Sequence, residues 1–272
     1  MCIALIAHQV HVAYPLVIAA NRDEFHARPT LPAGWWPEGL LAGKDLVGGG
    51  TWFGVNRSGS VALLTNYRDG LPRDPAARSR GELVVAALLN PRPPHRELSD
   101  LLSSGDAYQG YSLVAGHPGE FYCSSNRNWV VKRVGDGVFG LSNNFLDTPW
   151  PKVERVKDRL RAEMEHAVVS PEALFDILRD TTQAADHELP DTGIGLERER
   201  FLSSPFIIGE NYGTRSSTVL MADRIGGVLF IERTFDRNGQ PLNDVRFEFT
   251  VSKALRVKAG SGALPGAGSP PP

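Results

Sequence analysis

The sequence predicts an α+β sandwich, with antiparallel sheets sealed on their outer faces by helices. Three observations predict it. Short apolar runs recur in the order strands, helices, strands, helices, strands, without the regular βαβ alternation that threads a parallel sheet. With 42% of its 272 residues hydrophobic and 22% charged, the chain carries enough apolar material for a core. Its longest apolar runs, such as Cys2–Ala7 and Val84–Leu89, stop far short of the roughly 20 residues that cross a bilayer. One domain is expected over residues 1–258. The Gly/Pro/Ser-rich stretch 259–272 has too little apolar area to offset ordering entropy and is expected to be a disordered tail.

Cys2–Ala7 and Leu16–Ala20 lack polar alternation and read as strands covered on both sides. Asn21-Arg22-Asp23-Glu24 directly follows the second. Trp52–Asn56 and Ser60–Asn66 form a hairpin across Arg57-Ser58-Gly59, where the glycine supplies positive φ. Gly81–Asn90, which stops at Pro91, and His95–Ser104, which stops at Gly105, have helical spacing. A meander of strands follows at Tyr111–Ala115, Phe121–Cys123, Trp129–Val134 and Val138–Leu141. Lys152–Ala167 is amphipathic at i, i+3 and i+4, and Ser170-Pro171-Glu172 starts a further helix over Ala173–Thr181. A loop through Pro190–Arg200 leads to closing strands at Ser216–Ala222, Val228–Thr234 and Val245–Val251.

Charge and punctuation exclude several functions. Lys and Arg number 29 against 31 Asp and Glu, so no strong positive field attracts a nucleic-acid backbone or an anionic membrane. The first residues lack a basic region and a small-residue cleavage site, which gives a cytoplasmic expectation. Two cysteines without Cys-x-x-Cys spacing, and histidines without zincin spacing, argue against a disulfide framework, a metal site or a cofactor. The expected partner is a small-molecule substrate or an amphipathic ligand.

Cys2 is the first candidate for chemistry. Removal of Met1, which aminopeptidases carry out before small residues, leaves a thiol and a free α-amine on one Cα. The amine can take the thiol proton, and the thiolate can attack a carbonyl. The competing reading makes Cys2 a small apolar residue opening a buried strand. In Asn21–Glu24, Asp23 could orient the amine and Arg22 could stabilise the thiolate, against the reading of a solvated turn. Gly48-Gly49-Gly50 lacks the Gly-Lys-Ser/Thr ending of a phosphate loop and precedes a strand; it suits close backbone approach near the active terminus. Asn66 and Asn143 end separate strands, where carboxamides donate to an oxyanion or simply shape turns. Arg215 precedes a closing strand and needs a partner there, either a carboxylate or a polarised substrate group.

Together, Met1-Cys2, Asn21–Glu24, Gly50-Thr51-Trp52-Phe53-Gly54-Val55-Asn56, Leu64–Arg68 and Tyr212–Thr218 resemble the NRDE family, also called the transport and Golgi organisation 2 family, from Cys2 to about Phe249. That family is similar to the N-terminal nucleophile hydrolases. The resemblance implies a four-layer αββα sandwich. It also implies Cys2 as nucleophile, Asp23 as its amine-orienting partner with Arg22 beside it, Asn66 and Asn143 at oxyanion and substrate positions, and Arg215 as the late arginine. Two activities are compatible with it: hydrolysis of a linear amide through an acyl-enzyme, or non-catalytic binding or transfer of haem or an acyl-coenzyme A in the same cleft.

Overall fold

In the computed structural model, which describes residues 2–72, 74–90 and 92–251, the opening apolar run is β1 (Cys2–His8). It pairs antiparallel with β2 (Leu16–Phe25), placing Cys2 opposite Arg22 and Ile3 opposite Asn21. β2 continues through all of Asn21–Glu24, so the polar tetrad lies inside the strand rather than after it. β3 (Thr30–Trp35) and β4 (Leu40–Asp45) come next, two strands in a stretch where the sequence reading placed none. Then come the expected hairpin of β5 (Phe53–Asn56) and β6 (Val61–Asn66), followed by helices α1 (Gly81–Leu89) and α2 (Pro94–Ser103).

The meander comprises β7 (Tyr111–His117), β8 (Glu120–Ser125), β9 (Val130–Val134) and β10 (Gly137–Leu141). Helices α3 (Pro151–Met164) and α4 (Pro171–Leu178) each carry proline in the first turn, where a missing N–H costs nothing, and Ser170 caps α4. A short α5 (Leu196–Phe201) occupies part of the expected loop. The chain closes with β11 (Tyr212–Ala222), β12 (Gly227–Phe235) and β13 (Pro241–Thr250).

The strands form two antiparallel sheets, ordered β10-β1-β2-β11-β12-β13 and β3-β4-β5-β6-β7-β8-β9. Strand alternation divides the opening strand between two cores. Ala4 and Ile6 pack between the sheets with Ile18, Phe53, Leu63 and Val114, whereas Ile3, Leu5 and Ala7 pack outward against Val153, Val156 and Phe175 of α3 and α4. On the far side Leu83, Val84 and Leu98 of α1 and α2 cover Ala62, Leu113 and Ala115. The layers are therefore α, β, β, α. The expected tail at 259–272 lies outside the described residues, and no described helix is long and apolar enough to cross a membrane.

The last glycine of the run, Gly50, packs against α1, while the Gly48 and Gly49 N–H groups donate to Asp45, which in turn meets Arg22. A Cβ on Gly50 would lie 2.4 Å from the carbonyl carbon of Gly81, at the start of α1, where the Thr51 N–H donates to the Gly81 carbonyl at 3.3 Å. A Gly50→Ala variant is expected to lose about 2 kcal/mol, the usual scale of overpacking. Urea denaturation measures this; an unchanged midpoint would show that α1 can shift freely.

Candidate active site

The site grows from the pairing of β1 with β2. Alternation sends Arg22 to the face that Cys2 shares, between the sheets, and sends Asn21 and Asp23 to the helix side. Asn21 is a strap: its amide donates to the carbonyls of Leu178 and Pro205, both at 2.9 Å, and its oxygen accepts from Ser217 Oγ. Arg22 is buried, with Nη2 3.4 Å from Asp45 Oδ2 and its guanidinium 4.4 Å from the centre of the Trp52 ring. Its Nη1 is buried without a hydrogen-bond partner among the described residues. A buried donor of this kind is a place where a ligand atom is expected. Glu24 lies 4.0 Å from Arg22 and 3.8 Å from Arg28.

The Cys2 thiol accepts the backbone N–H of Asp23. Burial pushes the thiol above its ordinary value and the Asp23 charge adds to this, while Arg22 pulls it back. Asp23 is buried, and its Oδ1 accepts from Thr214 Oγ1 at 2.7 Å. Burial raises the Asp23 carboxyl, against the opposing charges of Lys152 and Arg22 and the Thr214 hydrogen bond. A β-bulge between Thr214 and Ser216 sets this geometry, because it lets Thr214 face Asp23 while Ser216 faces Arg22.

Arg215 is the residue inserted at that bulge. Its Nη1 donates to the carbonyls of Phe25, His26 and Arg28 at 2.9, 3.3 and 3.1 Å, fixing the turn after β2. None of its hydrogen bonds runs to Cys2 or Asp23.

The two asparagines are joined to each other and, through Ser142, to Cys2. Asn143 is fully buried at positive φ, and its Nδ2 donates to the Asn66 carbonyl at 3.0 Å. Ser142 Oγ donates to the Cys2 carbonyl at 3.0 Å and lies 3.3 Å from Asn143 Oδ1. The Asn143 carbonyl accepts the Arg68 N–H at 2.8 Å. One amide hydrogen of Asn143 is thus committed to backbone, and the second makes no hydrogen bond among the described residues.

The sequence assigns no role to several residues found here, although Arg68 and Tyr212 lie within its motifs. Lys152, in the first turn of α3, is only 2% exposed and donates to the Leu202 carbonyl at 2.9 Å. Burial lowers its ammonium to about 8, with the charge of Arg68 acting the same way and Asp23 and Cys2 opposing. The Tyr212 hydroxyl donates to the Asp23 carbonyl at 2.9 Å, and burial with the Asp23 and Cys2 charges holds it well above the ordinary phenol range. Arg68 is buried over the Trp150 ring and 3.1 Å from Glu199. The signal for Lys152 was its place between Pro151 and Val153 beside Trp150, an apolar setting for a lysine at a helix start. Buried charges this close to a thiol mark a functional-site candidate.

The family model for Transport and Golgi organisation 2 matches residues 1–237 of this chain. The chain belongs to that family. It is 31% identical over 265 residues to the mouse transport and Golgi organization 2 homolog, covering 88% of this chain and 94% of the relative. The human homolog is 34% identical over 260 residues, with the same two shares. Among solved structures, a mutant conjugated bile acid hydrolase from Clostridium perfringens superposes with a TM-score of 0.48 at 9% identity, over 93% of this chain and 98% of that one. The Caenorhabditis elegans N-acylethanolamine-hydrolyzing acid amidase ortholog gives 0.45 at 10% identity, over 80% and 92%. Membership in the transport and Golgi organisation 2 family agrees with the resemblance carried by the five motifs, and the observed layer order agrees with the fold it implied.

Proposed function

We propose that this family member is a cysteine amidohydrolase of the N-terminal nucleophile kind, cleaving a linear amide through an acyl-enzyme. The observation that carries the reading is the Cys2 thiol held against the Asp23 N–H, with Arg22 opposite it in the ladder and Nη1 of that arginine buried and unpartnered. With Met1 removed, the α-amine on the same Cα, ordinarily titrating near 7.7–8.0, is the base that takes the thiol proton. The thiolate adds to the amide carbon, and the developing oxyanion is received by Arg22 Nη1 or the spare Asn143 amide hydrogen. The C–N bond then breaks as the ammonium returns its proton to the leaving nitrogen. Water, deprotonated by the amine, attacks the thioester, releasing the acid and restoring the thiol.

Asp23 holds the ammonium form between these transfers, and Tyr212 and Thr214 hold Asp23. A thiol raised by burial stays protonated at rest, so its activation depends on the amine. The test compares protein whose intact mass shows Cys2 as first residue with protein that retains Met1, on a panel of acyl p-nitroanilides. Turnover is expected only from the first. Equal turnover from Met1-retaining protein would remove the amine as base, and no turnover from either would remove the hydrolase reading.

A further inference from the structure

A further hollow in the described structure lies away from this site. A cavity of about 510 Å³ lies where the sandwich ends, between β7, β8 and β9 of one sheet and β10 with the 145–147 turn of the other. Its volume falls in the range of small-molecule sites. Val114, Val134, Phe139, Leu141, Phe145 and Leu146 make its wall predominantly apolar. None of Cys2, Arg22, Asp23, Asn66, Asn143 or Arg215 lines it, although Leu141 pairs with Ala4, two residues from Cys2.

The charge at the rim has one sign. β9 is an edge strand with exposed Lys132 and Arg133, both lining the cavity, and neither makes an ion pair with a described residue. Alternation puts Lys132 on the same face as Val134, which packs between the sheets, and register puts it opposite Cys123. The one carboxylate in the lining, Asp147, is already held by Lys157 at 2.8 Å. An apolar chamber with unpaired cations at its rim is complementary to an apolar body carrying a single anionic group.

We propose that this inter-sheet cavity is a second ligand site, taking an amphipathic anion whose apolar part lies among Val114, Phe139 and Leu146 and whose head group meets Lys132 at the rim. The site stands whether or not Cys2 is a nucleophile.

Cys123, half-buried on the cavity wall, reports on occupancy. Iodoacetamide alkylation is followed by peptide mass spectrometry, separately at Cys123 and Cys2. Saturating decanoate, below micelle-forming concentrations, is expected to slow labelling of Cys123 at least tenfold and leave that of Cys2 unchanged. Decylamine is expected to protect far less. Affinity should rise about fourfold per methylene from hexanoate to decanoate, as burial of each CH₂ requires. Decyl phosphate in place of decanoate distinguishes the two head groups, and tighter binding by either supports the site while assigning the anion. Exposed Lys132→Glu is expected to reverse the preference between decanoate and decylamine, and Leu146→Trp to abolish protection. Equal protection by both amphiphiles, an affinity independent of chain length, or protection at Cys2 instead of Cys123 overturns the proposal.

Discussion

A Cys2→Ala variant is expected to lose at least about 10³-fold of amide hydrolysis while keeping its fold, the scale seen when a nucleophile is removed from an acyl-transfer site. The retained fold follows from position. Cys2 is the first residue of β1 and only partly buried, whereas Ile3, Leu5 and Ile6 just beyond it are the fully packed side chains of that strand. Losing one sulfur there should change stability by less than about 1 kcal/mol. Cys123→Ala is the matched control, since Cys123 sits on β8, in the other sheet and away from Asp23 and Arg22. Initial rates on the acyl p-nitroanilide panel, with circular dichroism melts of each variant, check the expectation. Undiminished turnover in Cys2→Ala, or equal loss in Cys123→Ala, would sink the nucleophile assignment.

What could be read in advance divides by whether a residue's partners are near it in sequence. β1, and β2 as far as Ala20, were legible because both of their faces are buried, so continuous apolar runs alone identified them. Asn21–Glu24 looked like a strand end because four polar residues rarely belong inside one. Three of them do so here through distant segments: Leu178 and Pro205 accept from Asn21, Thr214 donates to Asp23, and Asp45 meets one nitrogen of Arg22. β3 and β4 were invisible for a related reason: Pro32, Gly34 and Gly43 break the β signal, and pairing between the strands supplies what propensity does not.

In the sequence Lys152 looks like one charge of an amphipathic helix. Only the return of the chain at Leu202 closes over it. Arg215 stood out as an unpaired cation, but its partners are backbone carbonyls of the turn after β2, which carry no sequence signature. The motif positions were therefore legible as a set, whereas the way strand alternation shares them between two faces of one sheet was not.

The second large effect concerns Glu232, on β12. Replacing it with glutamine is expected to remove most of a stability loss that the parent protein suffers between about pH 4.5 and pH 7. Glu232 is buried, and its Oε1 accepts the Ala33 N–H at 2.7 Å from the opposite sheet, with the hydroxyls of Ser216 and Thr218 also donating to it. Burial pushes its carboxyl from an ordinary 4.5 up to about 7, against the pull of those hydrogen bonds and of Arg22. The folded chain therefore holds a proton that the unfolded chain releases above about pH 4.5, so this group's stabilisation is complete below that pH and is lost as pH rises through about 7. The shift corresponds to about 3 kcal/mol.

Glutamine keeps an acceptor for Ala33 and cannot ionise, so Glu232→Gln should be nearly neutral at pH 4.5 and stabilising by up to about 3 kcal/mol at pH 8. Urea titrations of both proteins at the two pH values measure it; a difference of the same size at both would show that Glu232 does not titrate in this window. If the gain appears, the parent protein retains, between its two sheets and near Arg22, an acid whose ionisation opposes folding. That is the electrostatic cost expected of a group kept for the charge it places beside the arginine facing Cys2.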